Sequence, residues 1–232
     1  MLSRWLDLCR RLGVKGNENY HTNLYIQLAY YYNQPHRRYH TLDHIRKMLA
    51  QLDEVKSLIN LPENLELAIW FHDAIYETWS NDNEIRSAGL AVHYIRDLMV
   101  LPRDVANKVA YLIERTQYFD DSGIYEPRTP DSKYLVDIDL YVGLGGDYQD
   151  FQINKNLTAL EYGWRERYDP RGFKKRRLEI FLMLYSRAPF YLTEYFRNRY
   201  EVQTKANLES AITDLEEELL GPKMAKEAKT AG

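Results

Sequence analysis

Apolar residues along this chain recur at spacings of three and four. Leu42, Ile45, Leu49, Leu52 and Val55 form one stripe; Ile85, Ala88, Val92, Ile95 and Met99 form a second; Val105, Val109, Leu112 and Thr116 form a third. That period puts each set on one face of an α-helix, so the pattern predicts three amphipathic helices. Pro102 stands just ahead of the third, where a first helical turn accepts proline. The stretch from Leu65 to Ile75 is apolar almost all round, which predicts a helix buried at the centre of a bundle. Leu208, Ile212, Leu215 and Leu219 make a last stripe. No segment alternates with period two between hairpin turns, so the expected fold class is all-α.

Breaks separate these segments. Asn33-Gln34-Pro35 divides an N-terminal helical stretch from the segment bearing His40, and Thr78 to Asn83 is a polar loop. Asp120 to Asp131, with Gly123, Pro127 and Pro130, is the longest irregular stretch. Gly143-Leu144-Gly145-Gly146 is expected to end the helix that carries Asp139. Beyond Asp169-Pro170-Arg171-Gly172 the chain again has helical spacing, and residues 221–232, rich in Lys and Ala, predict a flexible tail. With no repeat and no long linker, 232 residues are expected to form one helical domain over 1–220.

Composition narrows the function classes without naming one. Hydrophobic residues make up 45% and charged residues 28%, and the net charge of -3 gives no global attraction to nucleic acid or to an anionic membrane. Cys9, the single cysteine, excludes an internal disulfide and a Cys-rich zinc site, and is compatible with a reducing cytoplasm. No apolar run approaches the roughly 18 residues needed to span a bilayer. Met1 to Val14 carries Arg4, Asp7, Arg10 and Arg11, and so reads as an amphipathic helix rather than a signal peptide. The expectation is a soluble, cytoplasmic protein. The basic run Lys174-Lys175-Arg176-Arg177 reads as the solvated face of a helix that also carries Phe173, Leu178 and Phe181. The 20 tyrosines read mainly as packing groups.

Candidate chemistry centres on His72-Asp73. The pair closes the apolar run Leu67-Ala68-Ile69-Trp70-Phe71, where two polar side chains are costly to bury unpaired. With His44 upstream and Asp139 downstream, the order His, His-Asp, Asp can supply four ligands to one divalent cation. Neutral imidazole and ionised carboxylate are the states a metal needs near neutral pH. A mixed nitrogen and oxygen set suits Mn, Fe, Zn, Co or Ni better than calcium. Such a cation lowers the pKa of coordinated water and polarises a phosphoryl oxygen, which permits hydrolysis without a protein nucleophile. A structural His-Asp hydrogen bond is the competing reading. His40 and His44, at i and i+4, would share a face if both are helical. His72 and Asp73 would point ~100° apart on a regular helix and still meet an ion lying between them.

Three ordered blocks carry a resemblance. Arg38-Tyr39-His40-Thr41-Leu42-Asp43-His44-Ile45, Trp70-Phe71-His72-Asp73-Ala74-Ile75-Tyr76 and Asn83-Glu84-Ile85-Arg86-Ser87-Ala88 resemble successive blocks of a bacterial branch of the HD superfamily, predicted metal-dependent phosphohydrolases. The likeness continues through Asp137-Ile138-Asp139-Leu140, Leu144-Gly145, Glu161-Tyr162 and Ala206-Asn207-Leu208, over about residues 1–218. It implies an HD-domain helical bundle with a metal-binding core over about 36–146 and additional C-terminal helices over about 150–220. It also implies one divalent metal ion held by His44, His72, Asp73 and Asp139, with Asp137 the rival for the last position.

Arg38, His40, Glu84 and Ser87 match positions particular to the branch. Arg38 would bind substrate phosphate through its planar fork of donors, His40 would act as an outer-shell or acid/base group, and Glu84 would orient the attacking water. Against these stand plainer readings: His40 as a helix-start histidine, and Glu84 with Ser87 as an intrahelical contact. The resemblance implies cleavage of a phosphoester or pyrophosphate bond in a small phosphorylated substrate by metal-activated water. A nucleotide is expected from the superfamily alone, since no residue here reads a base. The alternatives are a non-catalytic nucleotide-sensing HD protein and an iron-dependent HD oxygenase. The latter needs further histidines between the pair and the last aspartate; His93, beside Val92 and Ile95, is the only one and is expected to be partly exposed. A homodimer is compatible with a helical protein of this size, although no interface signal is present.

Overall fold

The first stripe, from Leu42 to Val55, is a helix from end to end, capped at its start by the Thr41 hydroxyl accepting from the Asp43 amide. A computed structural model describes residues 1–117, 127 and 129–221, so most of the 120–131 stretch and the tail beyond Gly221 lie outside the described residues. Among the described residues there are eleven α-helices and no strand. No helix among them is long and apolar enough to cross a membrane. Backbone contacts divide the chain into two compact units, residues 1–139 and 140–232.

The first unit contains α1 (Leu2–Arg11), α2 (Glu18–Tyr32), α3 (Leu42–Val55), α4 (Pro62–Phe71), α5 (Asn83–His93), α6 (Arg103–Glu114) and most of α7 (Pro130–Leu140). Helix α4 is its centre, with every residue from Asn64 to Phe71 buried. Trp5 of α1 meets Trp70 edge-on, with ring centroids 5.5 Å apart, and Phe71 meets Tyr94 at 5.1 Å. Burying each such side chain contributes about 1.5–3 kcal/mol. Glu66 is the charged exception on α4. Its fully buried carboxylate accepts from Arg4 Nε at 2.8 Å and from Arg11 at 2.6 Å, fastening α1 across α4.

Several elements depart from the periodic reading. Helix α4 stops at Phe71 rather than continuing to Ile75, leaving His72 at its C-terminal boundary. Pro102 caps α6 instead of entering its first turn. His40 precedes the Thr41 cap, so it and His44 do not share a helical face. The second stripe is helical only to His93; a π-helical turn, Tyr94–Leu98, follows. Ile85 is exposed, and the buried face of α5 is the small-residue set Ser87, Ala88 and Ala91.

The second unit holds a π-helical turn, Tyr141–Gly145, followed by α8 (Tyr148–Glu161), α9 (Gly163–Tyr168), α10 (Pro170–Tyr185) and α11 (Glu194–Leu220). The glycine-rich segment therefore adds a wide turn to α7 before the chain breaks. Asn207 of α11 donates to the carbonyls of Leu144 and Gly146, at 2.7 and 2.9 Å, and holds that turn. A side chain at Gly145 would meet the Tyr141 ring and the Tyr191 hydroxyl, so the close approach requires glycine. In the basic run, Lys174 pairs with Glu218 at 2.9 Å. Arg177 lies over Phe173 and Phe181 while donating to the Lys155 carbonyl.

Candidate metal centre

Four side chains from α3, the end of α4 and the end of α7 converge within the first unit. His44 Nε2 lies 3.3 Å from His72 Nε2 and 3.3 Å from Asp139 Oδ1. His72 Nε2 is 3.0 Å from Asp73 Oδ2, and His44 Nε2 is 3.7 Å from that same oxygen. His72 Nε2 and Asp139 Oδ1 are 3.9 Å apart. One atom each from His44, His72 and Asp139 lies within 4.8 Å of the others, which is compatible with a shared ion. Both histidine side chains are fully buried or nearly so, and the carboxylates are only slightly exposed. Asp137, two positions from Asp139, is buried on another face of α7 and is outside this cluster.

The local fold explains why the cluster forms. The early end of α4 frees the backbone from Asp73 to Glu77, whose polar groups need partners. Side chains supply them. Arg37 donates to the carbonyls of Asp73 and Ala74, at 2.6 and 2.8 Å. Ser87 Oγ accepts from the Ile75 amide at 3.0 Å and donates to the Ile75 carbonyl at 3.2 Å. His36 donates to the Tyr76 carbonyl at 2.9 Å, and the Asn83 amide pairs with both the N–H and the C=O of Glu77. Helix α7 is anchored at its other end, where Asp131 accepts from the backbone amides of Asn60 and Leu61, both at 2.9 Å.

Each charge in the cluster acts on its neighbours against the effect of burial. Burial depresses His44 below its ordinary value, although the nearby carboxylates oppose it. Burial also acts against charge on His72, but Asp73 and then Asp139 outweigh it and raise the imidazole to about 9. Burial would raise Asp73; His72, His40 and His44 more than reverse that and hold it well below the usual carboxylate range. Asp139 is held below its ordinary value by His44 and His72, against the opposing effect of burial.

The donor chemistry fits a divalent cation. His72 Nδ1 lies 2.9 Å from the Ile69 carbonyl and donates to it, which directs the other ring nitrogen into the cluster. Two imidazole nitrogens and two carboxylate oxygens then face one another, an arrangement that requires protons or a cation between them. His44 Nδ1 is buried without a hydrogen-bond partner among the described residues.

The other sequence candidates are less uniform. His40 stacks on Tyr76, with centroids 3.8 Å apart, and its Nε2 lies 4.0 Å from Asp73 Oδ2, at the rim of the cluster. Glu84 lies in the first turn of α5; burial raises its carboxyl, and repulsion from Asp73 and Asp139 adds to this, so it senses the site's charge. Arg38 is exposed and donates to the carbonyls of Pro35 and Arg37. Ser87 is a backbone clamp. His93 is exposed and pairs with Asp97 at 2.9 Å, away from the cluster members. Sequence reasoning missed Arg37, which is buried beneath the site. Its signal was indirect: Thr41 caps the following helix, which leaves residues 35–40 irregular and in need of buried donors. No protein-family model, no curated protein and no solved structure matches the chain.

Proposed function

We propose that this protein is a metal-dependent phosphohydrolase of the HD type, cleaving a phosphoester or pyrophosphate bond in a small phosphorylated substrate, with a nucleotide the favoured class. The single observation carrying this reading is the convergence of His44, His72, Asp73 and Asp139 donor atoms at 3.0–3.9 Å in one buried cluster. The order and local sequence of those residues resemble the HD pattern. A divalent cation at this site would lower the pKa of a coordinated water and polarise a phosphoryl oxygen.

The protein's own groups have distinct tasks in this scheme. His44, His72, Asp73 and Asp139 hold the ion, and the Ile69 carbonyl fixes the tautomer of His72. Glu84, whose carboxyl is raised by burial, can take and return a proton closer to neutral pH than an exposed glutamate. His40, stacked on Tyr76 beside Asp73, orients substrate or water at the rim. Arg38 is exposed and reaches substrate only if it leaves its present carbonyl partners.

The test begins with elemental analysis of purified protein and of Asp73→Ala prepared identically. The expected result is about one Mn, Fe, Zn, Co or Ni per native chain, lost in a helical mutant. A panel of phosphomonoesters, phosphodiesters and nucleotides should then show turnover with that metal. Metal binding without turnover of any member would favour a nucleotide sensor, and two irons with oxygen consumption would favour an oxygenase. If no added ion binds the native chain, the cluster is a structural hydrogen-bond network and the proposal fails.

A further inference from the structure

Arg37 is 3% exposed, and its guanidinium bonds the main chain of two segments that carry cluster residues. One terminal nitrogen donates to the His40 carbonyl at 3.1 Å and to the Asp73 carbonyl at 2.6 Å. The other donates to the Ala74 carbonyl at 2.8 Å, while Nε reaches Gln34 at 3.3 Å. The carbon of the guanidinium lies 5.2 Å from the Tyr32 ring centroid and 5.7 Å from that of Tyr76. One planar group thus spans the turn before α3, which leads into His44, and the segment after α4, which begins with Asp73.

We propose that Arg37 is a positioning residue for the metal centre, setting the Asp73 carboxylate against His44 and His72 by holding the Asp73, Ala74 and His40 carbonyls together. The proposal rests on the metal-binding reading above and extends it to a residue that bonds the main chain of the segments carrying the donors. Several physical features support it. The carbonyls of Asp73 and Ala74 lie just beyond the C-terminus of α4, where cationic donors are favoured by the helix dipole and by unsatisfied oxygens. The fork geometry of arginine presents donors in fixed directions, so it can bridge separate carbonyls, whereas a lysine ammonium offers a single point. Asp73 has no helical backbone to fix its orientation, since α4 has already ended. The ring of Tyr76, which stacks on His40, also faces the guanidinium, so the same residue supports the rim.

The test uses the full-length chain with Arg37→Lys and Arg37→Gln. Metal-free proteins are titrated with Co²⁺ by calorimetry, the visible absorption of the bound ion is recorded, and helical content and melting are followed by circular dichroism. Supporting residues behind metal ligands typically change affinity by about 10–100-fold. The expected result is that loss in both folded variants, larger for glutamine than for lysine, with an altered Co²⁺ spectrum that reports changed coordination. A folded variant that binds Co²⁺ with native affinity and spectrum would overturn the role of Arg37 and leave the metal site standing. A native chain that binds no Co²⁺ would bring down the metal reading, and this inference with it. If neither variant folds, Arg37 belongs to the general fold and the proposal is likewise overturned.

Discussion

The Nε2 atoms of His44 and His72 lie 3.3 Å apart in a buried site, while the opposite nitrogen of His72 donates to the Ile69 carbonyl at 2.9 Å. The two imidazoles cannot both present lone pairs to that gap without something positive between them or beside them. In the metal-free protein a proton on His72 meets this need, held by Asp73 at 3.0 Å. A divalent ion held by the four protein donors would meet it with a larger charge. On the proposed metal reading, proton and metal would compete for one place.

That competition predicts a pH dependence. Against burial, Asp73 and Asp139 raise the His72 imidazole from 6.5 to about 9. Its folded value lies above its unfolded one, so its stabilisation of the metal-free protein is complete below 6.5 and is lost as pH rises through about 9. Metal has to displace this proton, so affinity should climb by up to roughly tenfold per pH unit over that window. Calorimetry in buffers of different ionisation enthalpy should show release of about one proton near neutral pH. Affinity that is flat across the window would mean that His72 is not displaced.

Asp139 and Asp137 offer a sharp contrast on one helix. Two residues advance an α-helix by about 200°, so only one of the two carboxylates can face the cluster from a given rotation of α7. Asp139 Oδ1 is the one within 3.3 Å of His44 Nε2. Asp139→Asn should weaken metal binding by about 100-fold or more, at or beyond the upper end of effects seen for merely supporting residues. Asp137→Asn should leave the affinity of the folded protein within about twofold, even if its melting temperature changes. The reverse pattern in metal titrations would transfer the ligand role to Asp137.

The parts legible in the sequence were those governed by periodicity. The Leu42–Val55 stripe gave α3 with its ends, and the Val105–Thr116 stripe gave α6 to within two residues at each end, with Thr116 just past its C-terminus. The all-α class followed from the same signal. The order of His44, His72, Asp73 and Asp139 also suggested the group that the fold brings together. What was hidden depended on long-range partners. His72-Asp73 closes the apolar run at Phe71, but no glycine or proline there announces a helix stop; the backbone beyond it is satisfied by Arg37, Ser87, Asn83 and His36 from elsewhere. Arg37 and Arg38 are adjacent and chemically identical, and their segment has no period, so sequence alone does not say which is buried. The i, i+4 spacing of His40 and His44 suggested a shared face, and the Thr41 cap that places His40 outside α3 was not read from the sequence.

Glu66 supplies a stability prediction outside the site. Its fully buried carboxylate is held by Arg4 and Arg11, whose side chains are only 25% and 27% exposed. Without Glu66, Arg4 keeps Asp53 and Arg11 keeps Asp7 and Glu63, so the cost is that of the lost charge-assisted hydrogen bonds, about 1.5–3 kcal/mol, rather than that of an uncompensated buried charge. Glu66→Ala should lower the free energy of unfolding by that order in denaturant titrations, through loss of the α1 to α4 fastening. A decrease below about 1 kcal/mol would show that water or neighbouring acids replace it easily, as they do at surface pairs.

Ser87→Ala tests whether the segment after α4 is held as one piece. The hydroxyl is buried and serves both the amide and the carbonyl of Ile75, at 3.0 and 3.2 Å. Alanine fits the space but leaves two backbone groups without that partner, and each unsatisfied buried group costs about 1–3 kcal/mol. Part of the loss is recovered if water enters, so a net destabilisation of about 2 kcal/mol is expected from denaturant midpoints. Ile75 is two residues from Asp73, and Arg37 still holds the Asp73 carbonyl from the other side. Metal affinity should therefore fall by less in Ser87→Ala than in Arg37→Lys, although the serine change removes two hydrogen bonds to the segment. Equal losses of affinity would mean that the segment moves as a unit and that its position depends on all of its clamps together. A Ser87→Ala protein with native stability would show instead that the backbone at Ile75 readily finds other partners.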